Sequence, residues 1–206
     1  NLGFGKTGGR WNWQLYEETA DDKYDINDLG IFNNNNYIGR FFGTGYKWIK
    51  PTNWYNRITI EYNTFYVTLL NQIPAQKINT KFKDFGNHIS GDIQFKSLWS
   101  ASLFFGYVAK GNDFYEPRVT GYSFRTPQRI QLSASFESNQ TKKYAAGLNY
   151  FLGIRSLFNS PNHQINFSHQ YRFSDKFSIS QSILYNPTTN DAGFYSLYNE
   201  NNMLKD

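Results

Sequence analysis

The chain has 206 residues, 18% of them charged and 19% aromatic, with no cysteine and a formal net charge of +5. That length is one domain's worth of chain, and the missing cysteines exclude disulfides and thiol-bound metals. No run of about 18 apolar residues exists, so a transmembrane helix is excluded, and the small basic excess is scattered among acids, which gives no nucleic-acid partner.

Residues 9–18 open with Trp11, Trp13 and Leu15 on one side and Asn12 and Gln14 on the other, a period of two that an extended strand presents. The polar stretch 19–36 follows. Residues 37–50 form a second strand whose glycines Gly39, Gly43 and Gly45 share one face. A turn over 51–56 leads to a strand over 57–70, where Ile58, Ile60, Tyr62 and Tyr66 alternate with Thr59, Glu61 and Asn63. After a long connection over 71–85, strands at 88–96 and 98–109 are joined by a turn near Ser97.

The third long connection, 110–127, precedes the clearest hairpin of the chain. Its first arm, 128–137, sets Ile130, Leu132, Ala134 and Phe136 against Gln131, Ser133, Ser135 and Glu137. Its second arm, 144–154, sets Tyr144, Ala146, Leu148, Tyr150 and Leu152 against Ala145, Gly147, Asn149, Phe151 and Gly153. A moderate loop over 155–162 leads to strands at 163–173 and 177–185, joined by a Ser174-Asp175-Lys176 turn. The polar remainder, 186–206, offers a further strand at 194–198.

These strands exceed the five or six residues usual in soluble sheets and approach the roughly nine to eleven that cross a bilayer at a tilt. The connections alternate long and short along the chain, which places every short turn on one rim and the longer loops on the other. That is how outer-membrane barrels are built, with short periplasmic turns and long extracellular loops. The aromatic content, 16 Tyr, 19 Phe and 5 Trp, suits interfacial girdles, with Trp48, Trp54, Tyr55 and Trp99 near the short-turn rim. The expected fold is therefore an all-β, antiparallel up-and-down transmembrane β-barrel of about ten strands, or an arc of a larger one. Its lumen would be lined by polar, mostly uncharged residues such as Ser90, Gln94, Gln131, Ser133 and Gln164, with no strong ion selectivity.

Three segments carry a resemblance: Y-D-I-N-D-L-G-I-F-N-N-N-N at 24–36, F-K-S-L-W at 95–99, and N-D-F-Y-E-P-R-V-T-G-Y-S-F-R-T-P at 112–127. Together they resemble an uncharacterised outer-membrane barrel family whose members usually carry an amino-terminal domain like carbohydrate-binding module nine. The resemblance implies an outer-membrane barrel serving surface glycan or nutrient handling, with no established catalytic residues. Neither the binding-module-like domain nor a terminal aromatic strand is present in these 206 residues. The expectation is an internal part of a longer barrel.

Asp113, Glu116 and Arg118 could form the carboxylate pair and cation of a glycoside-cleaving site, but Pro117 and an Arg118 ion pair read better as loop structure. Asp25, Asp28 and the Asn33 to Asn36 run lack the D-x-D-x-D-G spacing of a calcium loop. His88, His163 and His169 have no metal-ligand spacing, and His163 and His169 are expected at a lipid rim. The glycines Gly3, Gly5 and Gly8 have no preceding strand or following helix, so they make no phosphate cradle.

The expected function is non-enzymatic: a scaffold, accessory subunit or passive pore in the bacterial outer membrane, without a cofactor. Its expected partners are the outer-membrane bilayer, other outer-membrane proteins and a surface glycan. An alternative is a glycan-binding or glycan-processing protein that uses Asp113, Tyr115, Glu116, Arg118, Tyr122 and Arg125 of the third long loop, with the exposed rings Phe114 and Phe124 beside them.

Overall fold

The computed structural model describes residues 1–24, 35–74, 76–115, 117, 121–157 and 160–189. They form one antiparallel sheet of ten strands in the order β1-β2-β3-β4-β5-β6-β9-β10-β11-β12, with a separate hairpin, β7-β8, at one end. The strands are β1 (Leu2–Lys6), β2 (Trp11–Ala20), β3 (Tyr37–Trp48), β4 (Tyr55–Leu69), β5 (Phe82–Phe95), β6 (Ser100–Val108), β7 (Gly111–Asp113), β8 (Phe124–Thr126), β9 (Arg129–Glu137), β10 (Tyr144–Arg155), β11 (Ser160–Ser174) and β12 (Phe177–Tyr185). Each strand of the main sheet pairs with its neighbour in sequence except where the hairpin is set aside between β6 and β9. Among the described residues the sheet is open, because β1 and β12 each have one neighbour there.

Register explains why the alternation is so regular. Directly paired residues share a face, so one parity of each strand lines up across all ten. Gln14, Gly43, Asn63, His88, Gly106, Gln131, Gly153 and Asn162 form one such row on the polar face. On the opposite face Leu15, Phe42 and Thr64 lie in line, as do Leu103, Ala134 and Tyr150. The residues expected to line a lumen, including Ser90, Asp92, Ser133 and Ser168, all fall on the polar face.

Among the described residues nothing covers the apolar face. Among the described residues the buried apolar side chains are Ala20, Leu69, Phe114 and Ala145, whereas 33 large apolar residues are exposed. Leu132, Leu148 and Ile165, in the middle of their strands, are 39%, 49% and 39% exposed. Only three charges occupy strand positions of that face, Lys6, Glu17 and Arg40, each within four residues of a strand end. Glu17 and Arg40 neutralise one another at 2.8 Å. Aromatic pairs gather at the short-turn ends, Tyr46 with Trp48, Trp54 with Tyr55, Trp99 with Phe136, and Phe173 with Phe177.

Three sequence expectations are revised. The glycine-rich start is a strand, β1, held by the ladder from Leu2↔Glu17 to Lys6↔Trp13. At Gly5 an added Cβ would fall 2.3 Å from the Trp13 carbonyl oxygen, so close approach, not a turn, explains that glycine. The strand expected from residue 88 begins at Phe82, with a bulge at Lys83 that breaks the alternation. Residues 156–159 form a connection of four residues, because β10 and β11 run to Arg155 and from Ser160. The strand expected at 194–198 lies outside the described residues.

Candidate functional site

The loops at one end of the sheet interlock. Connections 21–36, 70–81 and 109–128 leave from the same rim, whereas the turns at the other rim, such as 96–99 and 175–176, have two to six residues. The first two long loops are joined by Asn36, whose φ of 53° puts it in the left-handed region that asparagine tolerates. Its side-chain amide donates to the Asn71 carbonyl at 3.0 Å and its Oδ1 accepts the Asn71 amide at 2.7 Å. Its own backbone donates to the Asp21 carbonyl and accepts from Leu70.

The third loop docks on both. The Tyr115 hydroxyl reaches the Asn35 carbonyl and Oδ1 at 3.0 and 2.9 Å, 80 residues away in sequence. The Lys77 amide donates to the Gly121 carbonyl at 2.9 Å, and the Lys77 ammonium hydrogen-bonds the Tyr122 hydroxyl and lies 3.7 Å from the centre of its ring. Within the loop, β7 and β8 pair from Gly111↔Thr126 to Asp113↔Phe124. Asn112 carries the hairpin onto the sheet, its Nδ2 donating to the Phe82 carbonyl at 2.8 Å while its Oδ1 accepts from Arg125 at 3.1 Å. A Cβ at Gly111 would sit 2.2 Å from the Lys83 carbonyl oxygen, so only glycine lets the hairpin approach β5 this closely.

Lys83 lies at the centre of this cap. It is 7% exposed, and its ammonium stands 5.0 Å from the Tyr115 ring centre and 5.9 Å from that of Tyr37. Burial pushes its pKa down to about 8, against the opposing pull of Asp113. The apolar stripe of β5 begins two residues later, at Phe85, so Lys83 belongs to the loop side of the sheet. Burial also raises the Tyr115 phenol above its ordinary value, helped by the charges of Asp22 and Asp113.

The sequence-predicted ligand residues thus divide. Tyr115 holds two loops together, Arg125 ties β8 to β7 within one loop, and Asp113 Oδ1 accepts the Tyr115 amide at 2.9 Å, closing an Asx-type turn. Tyr122 and Phe124 are exposed, at 39% and 41%. Phe114, expected among the exposed rings, is instead buried at 6% under the hairpin. Glu116 and Arg118 lie outside the described residues, as do Asp25, Asp28, Asn33 and Asn34 of the other loop. His163 bonds the Tyr150 hydroxyl at 3.0 Å and His169 bonds Gln181 at 3.2 Å, both on the apolar face and not near each other. Among the described residues no group of His, Cys, Asp or Glu could hold a metal ion.

The polar face was legible in the sequence, but two features of it were not. Rings there lean over glycines: Phe65 lies 2.7 Å from where a Gly86 Cβ would be, and Phe151 3.1 Å from that of Gly153. Arg129 and Arg155 stand directly opposite one another, which only the register reveals.

An antiparallel single-layer sheet with one uncovered apolar face, one polar face and an interlocked loop cap at one rim is the class these observations define. The whole chain, residues 1–206, matches the family described as Domain of unknown function (DUF5916), and the protein belongs to that family. No curated protein and no solved structure matches it. An uncharacterised family is what the three motifs pointed to.

Proposed function

We propose that this chain is a wall of a bacterial outer-membrane β-barrel, with its apolar face in lipid and its polar face toward water. It serves as a scaffold, accessory subunit or passive pore of a cell-envelope assembly and does no covalent chemistry. The uncovered apolar face carries this reading. Soluble monomers rarely expose contiguous apolar patches beyond a few hundred Å², and here all ten strands of the sheet contribute exposed large apolar side chains. Lipid is the solvent that makes such a face favourable.

Three further features support it. From Ile58 to Tyr66 the apolar stripe of β4 runs about 27 Å at roughly 3.4 Å per residue, close to the ~25 Å apolar band of outer-membrane barrels. The charges of the apolar face sit toward strand ends, where headgroups begin. The interlocked long loops form the extracellular rim and the tight turns the periplasmic one. Unpaired strand edges are not tolerated in hydrocarbon, so the outer edges of β1 and β12 are joined in the membrane, to each other or to further strands.

The test is solubility with fold. The chain is expected to fold only with detergent or lipid, to show heat-modifiable migration and to co-float with vesicles. A monomer with full strand signal in plain buffer would overturn the reading. The glycan-binding alternative draws on the exposed rings of Tyr122 and Phe124. It predicts that Tyr122→Ala abolishes binding to a glycan panel while migration is unchanged.

A further inference from the structure

We propose that the polar face of β2, β3 and β4 carries a binding site for a neutral sugar ring, the repeating unit of an uncharged glycan. The inference rests on the reading above, that this face meets water inside a barrel, and names what that face binds. A row of aromatic rings and a hollow beside it carry the argument.

Tyr16, Phe41 and Phe65 stand in one register row of the polar face, Tyr16 opposite Phe41 and Phe41 opposite Phe65. Their ring centres are 5.8 and 6.5 Å apart. Glycines end the row on both sides, Gly3 opposite Tyr16 and Gly86 opposite Phe65. The absent side chains let the rings lie down over the backbone, with Tyr16 3.1 Å from where a Gly3 Cβ would be, Phe65 2.7 Å from that of Gly86 and Phe41 2.9 Å from that of Gly39. All three rings are half-buried, not sealed away. The result is an apolar track three strands wide on an otherwise polar wall.

Two residues along each strand toward the short-turn rim, roughly 7 Å away, the same strands border a hollow of about 270 Å³. Asn12, Gln14, Glu61 and Asn63 line it, and none of these four side chains hydrogen-bonds a described residue. Gly43 makes room for the amides, since a Cβ there would fall 2.5 Å from Asn63 Oδ1. Each amide offers donors and an acceptor, as hydroxyls do, so the set matches a polyol. The two charges of the lining, Lys6 and Glu61, are opposite in sign and favour neither an anion nor a cation.

A pyranose supplies what both halves of the site require: an apolar C–H face for the rings and hydroxyls around its edge for the amides. Drug-sized sites take roughly 300 Å³ or more, so the hollow suits one such ring, with the next unit of a chain on the aromatic row. Rings that fill glycine gaps also stiffen a sheet. Phe151 does so on β10, 3.1 Å from where a Gly153 Cβ would be, but its row partners are Ser133 and Gln164 and no second ring continues it. It is the internal control.

The test is calorimetric titration of the folded full chain, in micelles or in whatever solvent keeps its strand signal, with maltohexaose, cellohexaose, a galacturonate hexamer and sorbitol in turn. A neutral hexasaccharide is expected to saturate, the galacturonate hexamer to bind roughly tenfold more weakly, and sorbitol, which has hydroxyls but no ring, not to saturate. Phe41→Leu combined with Phe65→Leu keeps the apolar volume and removes the rings, and should weaken the neutral hexasaccharide roughly tenfold. Asn63→Ala should weaken it several-fold, whereas Phe151→Leu and Tyr122→Ala should leave it unchanged. Circular dichroism and heat-modifiable migration confirm the fold of each variant. Absence of saturable binding of either neutral hexasaccharide to the folded wild type, or unchanged affinity in the folded double variant, would overturn the proposal. An equal loss in Phe151→Leu would overturn it by showing that the rings only stiffen the wall, and an equal loss in Tyr122→Ala by moving the sugar to the loops. Galacturonate hexamer binding as tight as the neutral chain would overturn its neutral part. Flotation and migration of the wild type read the membrane proposal with no sugar present, so the two proposals fall separately.

Discussion

The strands from β2 to β6 and those from β9 to β12 make the same kind of wall and end in different rims. Over the first group, loops of 16, 12 and 20 residues lock together through Asn36, Tyr115 and Lys77; over β10 and β11 a connection of four residues suffices. The walls differ little because alternation is enforced by one repeated condition, an apolar side and a polar side for every strand. The rims differ because nothing periodic constrains them. Their order comes from hydrogen bonds between loop backbones and amide side chains, with Phe114 as the one buried large apolar side chain of the cap among the described residues. Cap and wall should accordingly respond to different perturbations.

The largest effect should ignore the difference. Leu103 of β6 and Leu148 of β10 lie at mid-strand on the apolar face, one under each rim. If lipid bathes both, Leu103→Arg and Leu148→Arg each cost about 2–4 kcal/mol in denaturant unfolding from vesicles, while Ser133→Arg on the polar face stays near neutral. Unequal losses would mean that the two halves meet different solvents. Gly111→Ala should do the opposite and act on one rim only, displacing β7 from β5 at about 1–3 kcal/mol of local stability. Limited proteolysis should then open the 109–128 loop while the strand signal and midpoint of the wall hold. Asn36→Ala should loosen the same cap by about 1–2 kcal/mol, since it removes two hydrogen bonds and puts alanine at positive φ.

The cap should also be the half that senses pH. Lys83 is held down at about 8 when docked and returns toward 10.5 when the cap opens. Between those values the open state binds more protons, so docking tightens as pH rises through the window, and below about 8 the buried ammonium costs the docked state its full penalty. Tyr115 works the other way, because its raised phenol makes the docked state resist ionisation, and docking weakens again above about 10. Amide protection factors across 70–81 and 109–128 should rise from pH 7 to 9 and be flat for the β9–β10 hairpin. A parallel change in both would show that the cap is not a separate unit.

Much of the wall was legible in the sequence, and little of the rim. Ile130 to Glu137 alternates without a break, so its strand and its faces can be read residue by residue. Leu2 to Lys6 cannot, because Gly3 and Gly5 leave one face of the strand without side chains to alternate, and only the neighbouring strand shows why. The bulge at Lys83 hides the first turns of β5, since an extra residue shifts every later position by one parity. β7 and β8 have three residues each, too few for any period to register. The burial of Phe114 and the reach of Tyr115 to Asn35 depend on how loops far apart in sequence meet, which no local pattern encodes.

The smallest effect is the most specific to the open half, and its sign is the informative part. Arg129 and Arg155 are 26 positions apart and meet only because the 138–143 turn sets the register of β9 on β10. A structural residue, when removed, lowers stability. A residue that faces a like charge across the ladder loses that repulsion when neutralised. Arg129→Gln should therefore stabilise the β9–β10 hairpin by about 0.2–1 kcal/mol, an increment that shrinks as salt screens the pair. The counterweight is Asp84, which loses a favourable neighbour in the same variant, so Asp84→Asn combined with Arg129→Gln isolates the arginine pair by double-mutant cycle. A loss of stability that persists in the Asp84→Asn background would show that Arg129 holds the rim together, as Tyr115 does in the cap, and the two halves would then be alike.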